Sequence, residues 1–322
     1  MKAISIFSGG LDSMLASTLI SSVGIEVQPV FFSTPFFPPD KAKESADHIN
    51  LPLKIVDITE RHFFLLKEPN HGFGGNMNPC IDCHALMIRI AGEMLLEENA
   101  DFIISGEVLG QRPMSQNRGS LSVVESESGM KGLILRPLSA KLLSATIPEL
   151  KGWVDRDKLL SISGRSRKPQ ISLAKKFNIS KYPSPAGGCL LTDKVFSKRL
   201  KDLLQNNPEL DRNQVELLKL GRHFRIAPET KIIVGRNKQE NDRILDLAGE
   251  SNCILHTKNI PGPVVAILGK RGSEIEMLAA AMTASYSDAR DEEAEIVLTN
   301  NDGGKIIRAY GNEKSSFKKY MI

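Results

Sequence analysis

Three observations predict a doubly wound α/β domain followed by a smaller α+β domain. Strands alternate with helices over residues 1–135, a glycine turn directly follows the first strand, and the pattern changes from about residue 195. Ala3–Phe7 is a short apolar run of strand length, closed by "SGGLDS" at 8–13. Val27–Ser33, Leu53–Asp57 and Phe102–Ser105 read as the next strands, with helices at 11–22, 40–49 and 84–98 between them. In such parallel sheets ligands bind beyond the carboxyl ends of the strands. "SGGLDS" and "SGE" (105–107) both fall on that edge.

Residues 140–200 are less regular, with a helix expected at Leu173–Phe177 and a turn-rich loop in "YPSPAGGC" (182–189). Beyond them, helices are expected at 195–206, 212–221 and 273–286 and strands at 230–235, 264–269 and 293–299. The expected division is a nucleotide domain over 1–165, a basic connecting segment over 166–210 that carries Cys189, and a C-terminal domain over 211–322.

The composition is that of an ordinary globular chain, with 41% hydrophobic and 25% charged residues. No run of about eighteen apolar residues is present, which argues against a membrane span. The first strand leaves no room for a signal peptide, so the expected setting is the cytoplasm. Four cysteines are too few for a disulfide scaffold. The net charge of +4 conceals an uneven distribution, because residues 151–201 hold 13 Lys and Arg against 3 Asp and Glu. Arg165, Arg167 and Lys168 lie in that stretch, which suits either a solvated face or a surface for phosphate backbones.

Gly9 and Gly10 allow a tight turn that presents bare N–H groups to an anion, and the helix starting near Leu11 points its positive end the same way. Asp12 and Ser13 then occupy the first helical turn. The loop lacks the lysine of a Walker A motif and the third glycine of a dinucleotide fingerprint. All six positions of "SGGLDS" resemble the PP-loop of the N-type ATP pyrophosphatases, which cleave ATP to AMP and pyrophosphate. The resemblance implies that Ser8, Gly9, Gly10, Leu11, Asp12 and Ser13 hold the pyrophosphate, with Asp12 at Mg2+ or the phosphates. It also sets the backbone near Phe31 and Phe32 against the adenine.

"NPCIDCH" supplies Cys80, Cys83 and His84, with Cys189 and Cys253 elsewhere. CxxCH also spells the attachment sequence of c-type haem, which belongs outside the cytoplasm. A four-ligand zinc site, a redox or persulfide pair across Cys83 and Cys189, and an iron–sulfur cluster on three thiolates all remain open on residue chemistry alone. Gly187 and Gly188 beside Cys189 would let the backbone approach a bulky inorganic group.

"MNPCIDCHALMIRIA" is similar to a segment of the tRNA 2-thiouridylases, and "ISGEVLGQRPMSQN" (104–117) with "LRPL" (135–138) resembles the tRNA 4-thiouridine synthetases. The likeness covers roughly residues 1–195 and adds Gly106 and Gln111 to the ATP site. It implies ATP-dependent replacement of a uridine carbonyl oxygen of tRNA by sulfur from a donor. It also implies that Cys80, Cys83 and Cys189 carry the sulfur, as ligands of a 4Fe–4S cluster in one subset of these enzymes. His84 stands where the 2-thiouridylases have asparagine. "KIIVGRNKQENDRIL" (231–245) and "CILHTKNIPGPVVAI" (253–267) resemble the RNA-binding domain of the NFACT family, which implies a polar RNA surface at Arg236, Asn237, Asn241, His256 and Lys258. Cys253 then lies in a strand of that domain, as a core residue.

Overall fold

In the computed structural model, alternating apolar runs become a five-stranded, wholly parallel sheet. The structure describes residues 1–184, 189–207, 209–249, 252–289, 292–301 and 303–322. Chain contacts divide it into two units, Met1–Thr192 and Asp193–Ile322. The connecting segment expected at 166–210 is therefore shared between them.

The first unit runs β1 (Lys2–Ile6), α1 (Leu11–Ser22), β2 (Glu26–Ser33), α2 (Asp40–His48), β3 (Lys54–Asp57), α3 (Thr59–Lys67), α4 (Cys80–Glu97), β4 (Phe102–Ser105), α5 (Arg118–Ser128), β5 (Ile134–Leu135), α6 (Ile147–Leu150) and α7 (Lys168–Lys176). Strand order is β3-β2-β1-β4-β5, so the chain reverses its direction of growth between β1 and β4. That switch opens a crevice at the carboxyl edge. One face of the sheet packs Phe7 and Phe31 against Leu11, Met14 and Leu15 of α1, Ala42 of α2 and Ala174 of α7. The other packs Ile4, Val30 and Ile103 against Leu86, Ile88 and Ala91 of α4. Both faces are covered, which is why these strands read as continuous apolar runs.

The second unit runs α8 (Lys194–Asn206), α9 (Arg212–Leu217), β6 (Arg222–Ala227), β7 (Thr230–Val234), α10 (Lys238–Ala248), β8 (Cys253–Thr257), β9 (Val265–Gly269), α11 (Ser273–Ser285), β10 (Glu293–Asn300) and β11 (Gly303–Tyr310). Its six-stranded sheet, of order β11-β10-β8-β9-β7-β6, is antiparallel. Ala279, Ala280 and Met282 of α11 fill one face with Phe224, Cys253 and Ile267, and Ile244 of α10 packs with Ile233 and Ala266.

Two helices are longer than their sequence patterns imply. α4 starts at Cys80 rather than 84, and α7 starts at Lys168 rather than Leu173. Pro79 is the N-cap of α4 and Pro169 the second residue of α7, both in the first turn, where a missing N–H costs nothing. Gly187 and Gly188 lie outside the described residues.

Candidate functional site: a glycine loop beside three thiols

The loop after β1 is held by its own polar side chains. Ser13 Oγ donates to the Gly10 carbonyl at 2.8 Å, and the Gly10 amide donates to Ser8 Oγ at 3.3 Å. Ser45 Oγ of α2 donates to the Gly9 carbonyl at 2.8 Å. Gly9 has φ +75°, and a Cβ there would stand 2.7 Å from Ala42 Cα, so only glycine fits. Leu11 is buried in the core under the loop, while Ser8 is exposed. The Phe32 side chain is likewise buried in the core, which leaves only its backbone for a ligand.

Asp12 is half-buried at the head of α1. Gln111 Nε2 donates to Asp12 Oδ2 at 2.6 Å, and Gln170 Nε2 of α7 donates to Gln111 Oε1 at 2.8 Å. Burial raises the Asp12 pKa, while Gln111, Arg167, Gln170 and Arg112 all favour the carboxylate. "SGE" arrives from β4 directly onto this helix start. A Cβ on Gly106 would lie 2.6 Å from the Ser13 amide nitrogen, so the two segments touch backbone to backbone.

Glu107, next in the chain, is 6% exposed and joins the loop to the cysteine helix. Its Oε1 pairs with His84 Nδ1 at 2.9 Å, and its Oε2 accepts from Arg136 Nε at 3.0 Å. Burial works to raise the Glu107 pKa, but the buried Arg136 guanidinium and His84 outweigh it and hold the carboxyl down at about 2. Glu107 is therefore a fixed anion at neutral pH.

Cys80 and Cys83 occupy the first turn of α4, one helical turn apart on the same face. Asn78 Nδ2 donates to Cys80 Sγ at 3.2 Å, and His62 Nε2 of α3 lies 3.4 Å from Cys83 Sγ. Two ties bring Cys189 to them. The Leu190 amide donates to the Phe36 carbonyl at 3.1 Å, and Asn76 Nδ2 donates to the Thr192 carbonyl at 2.8 Å. Burial raises the Cys83 thiol well above its ordinary value, helped by Cys189, Cys80 and Asp82. Burial likewise pushes Cys189 up to about 11, with Cys80 adding to the effect. The three sulfurs thus lie within one another's electrostatic reach. All four cysteines are free thiols, and Cys253 is buried in the core of the second unit. Among the described residues no group of three or more His, Cys, Asp or Glu closes around a single metal ion. Cys80, Cys83 and Cys189 are soft donors of the kind that hold zinc or a sulfur-bridged cluster.

Sequence reasoning missed His62, Arg136 and Gln170. His62 and Gln170 are buried on α3 and α7 and Arg136 in the loop after β5, so only their three-dimensional partners reveal them. The basic residues divide by environment. Arg165 and Lys168 are exposed, whereas Arg167 is half-buried at the N-cap of α7. In the second unit Asn237 caps α10 through the Glu240 amide at 2.9 Å, and Arg236 Nε pairs with Glu240 Oε1 at 2.9 Å. Asn241 Oδ1 accepts from the Val264 amide at 3.1 Å, and Lys258 pairs with Glu295 at 3.0 Å. His256 is exposed on β8. No described helix is long and apolar enough to cross a membrane.

A parallel sheet of this order with a glycine cradle at its switch point defines a domain of the PP-loop ATPase type, followed by an antiparallel-sheet domain. Residues 1–142 match the family model described as "Thiamine biosynthesis protein (ThiI)", and residues 221–321 match the NFACT protein RNA binding domain. The chain is 31% identical over 146 residues to "Probable tRNA sulfurtransferase" of Anoxybacillus flavithermus, covering 42% of this chain and 35% of that protein. It is 33% identical over 119 residues to the protein of the same description from Methanosarcina mazei, covering 34% and 29%. The matched stretch thus spans about a third of these relatives' length. A 4-thiouridine synthetase solved in complex with RNA and bound ATP aligns at 19% identity and TM-score 0.36, over 55% of this chain and 51% of that one.

Proposed function

We propose that the chain is an ATP-dependent tRNA sulfurtransferase of the cytoplasm that adenylates a uridine carbonyl oxygen and then replaces it with sulfur. The observation that carries this reading is the backbone-to-backbone contact of "SGE" with the glycine loop. Through Glu107 and His84 it continues to the helix bearing Cys80 and Cys83. A phosphate cradle and a sulfur site thereby share one sheet edge.

In this reading the amides of Gly9 and Gly10 and the start of α1 stabilise charge on the departing pyrophosphate. Asp12, acting with Mg2+, holds the phosphates in line. The uridine oxygen attacks the α-phosphorus, and that oxygen later leaves on AMP when sulfur adds to the ring carbon. His84, fixed by Glu107, stands between the two halves of the site. A 4Fe–4S cluster held by Cys80, Cys83 and Cys189 would supply an open iron for binding sulfide. A second reading rests on the mutual reach of Cys83 and Cys189. A persulfide on one, received by sulfur transfer from a persulfide-carrying donor, would add its outer sulfur to the ring carbon as AMP leaves. The other thiol would then release the thiouridine and close a disulfide. Arg165, Arg167 and Lys168, with Arg236, Asn237, His256 and Lys258 of the NFACT-type domain, are assigned to tRNA contact.

Incubating the protein with ATP, Mg2+, unmodified tRNA and either sulfide or a persulfide donor, then analysing AMP and the tRNA nucleosides by mass spectrometry, tests the proposal. Thiouridine with stoichiometric AMP supports it. RNA binding without AMP would make the chain a non-catalytic adaptor. Iron and zinc analysis of anaerobically purified protein separates the cluster from the persulfide.

A further inference from the structure

Helix α7 brings together two things the reaction would need to connect. Its head carries the exposed cations Arg165 and Lys168, with Arg167 between them, and its third residue is Gln170. Gln170 is fully buried, and its amide forms the far end of the chain Gln170–Gln111–Asp12. The polarity of that chain is fixed by chemistry. An ionised carboxylate can only accept, so Gln111 must turn its nitrogen to Asp12 and its oxygen to Gln170, which must then donate. Three buried polar atoms around the chain have no hydrogen-bond partner: Asp12 Oδ1, Gln170 Oε1 and Arg167 Nε. Buried polar groups left so are costly, and the set is therefore poised to gain partners. Ala174 and Leu173 of α7 also pack in one cluster with Leu11, Met14 and Leu15 of α1, so the two helices are packed neighbours.

We infer that Gln170 couples RNA bound at the head of α7 to the grip of the glycine loop on Mg·ATP. The inference rests on the function proposed above and specifies its regulation. An RNA phosphate seated on Arg165, Arg167 and Lys168 fixes the head of α7. Gln170, through Gln111, then holds the Asp12 carboxylate aimed at the magnesium of Mg·ATP. Gln170 is thus a positioning residue. The coupling is reciprocal, so Mg·ATP tightens RNA binding by the same factor.

Calorimetric titration of the full chain with Mg2+ and an ATP analogue whose α–β bridge cannot be cleaved, with and without saturating tRNA, measures this directly. We expect tRNA to tighten nucleotide binding about 5-fold or more in the wild type, the lower end of ordinary coupling. Gln170→Leu and the isosteric Gln170→Glu should bind tRNA normally but bring that ratio close to one. Ile171→Ala, on the same helix turn and 38% exposed, should keep it. Full tightening in both Gln170 variants overturns the inference, as does a wild type that makes AMP with tRNA yet shows no tightening. A wild type that neither binds tRNA nor makes AMP removes the proposed function, and this coupling with it.

Discussion

Gly106 and Ser13 meet so closely that a single methyl group on Gly106 would lie 2.6 Å from the Ser13 amide nitrogen. The contact fixes the height of the loop above the sheet. Gly106→Ala should therefore push the loop off its seat, costing about 1–3 kcal/mol and weakening Mg·ATP binding at least tenfold. Gly75→Ala, where a Cβ meets nothing within 4 Å, should leave both unchanged. Titration with ATP and thermal unfolding of the two variants checks the pair.

Asp12→Asn keeps the size of the side chain and removes its charge. AMP and pyrophosphate formation should fall roughly 10²–10³-fold, in line with the loss of one electrostatic stabiliser of the transition state. The unfolding midpoint should stay close to that of the wild type. A variant with undiminished AMP output would exclude Asp12 from the phosphate site.

How much of this was legible in the sequence differs from part to part. The loop, the parallel sheet and the Cys80–Cys83 spacing were readable because each is local or follows a fixed period. Covered strands gave plain apolar runs, and "SGGLDS" needs no distant partner. The reach of α4 back to Cys80 was not readable, because "NPC" looks like a turn. α10 was hidden too, since "RNKQENDRIL" is mostly polar and its burial rests on few residues such as Ile244. The Glu107–Arg136 pair joins two loops through side chains alone, and no periodicity announces it.

The cysteines should separate by place. Cys80→Ala, Cys83→Ala and Cys189→Ala should each abolish thiolation and any bound iron. Cys253→Ala should spare both and cost about 1 kcal/mol of stability, through a small cavity in the core of the second unit. Iron analysis, nucleoside mass spectrometry and urea unfolding read the three outcomes. Iron that survives Cys189→Ala and vanishes with Cys253→Ala would reassign the ligands.

Glu107 should govern acid stability of the first unit. Its folded pKa of about 2 lies below the ordinary 4.5, so the stability it contributes is complete above pH 4.5 and is lost as the pH falls towards 2. Glu107→Gln leaves Arg136 buried beside a neutral amide, with Glu125 at 3.6 Å as its remaining ion pair. We expect a loss of about 3–5 kcal/mol at pH 7 and a flatter pH dependence below 4.5. Urea unfolding at pH 7, 4 and 3 measures both; equal slopes in wild type and variant would refute the assignment.

Arg165→Ala with Lys168→Ala removes two exposed cations. Binding to tRNA should weaken, and the slope of log affinity against log salt should shrink by up to about two units. An unaltered slope would make the segment an ordinary solvated surface.

The tether of the segment after Cys189 to Phe36 and Asn76, through Leu190 and Thr192, has a consequence in time. Cys80 and Cys83 leave the ribosome more than a hundred residues before Cys189 does. At ordinary elongation speeds that interval lasts about 5–20 s. Throughout it, α4 can be folded and its two thiols in place, while the third does not yet exist. Any inorganic group that needs all three must be inserted after the last of the first unit has emerged. A nascent chain paused before residue 189 would hold a dithiol open to the oxidants of its surroundings.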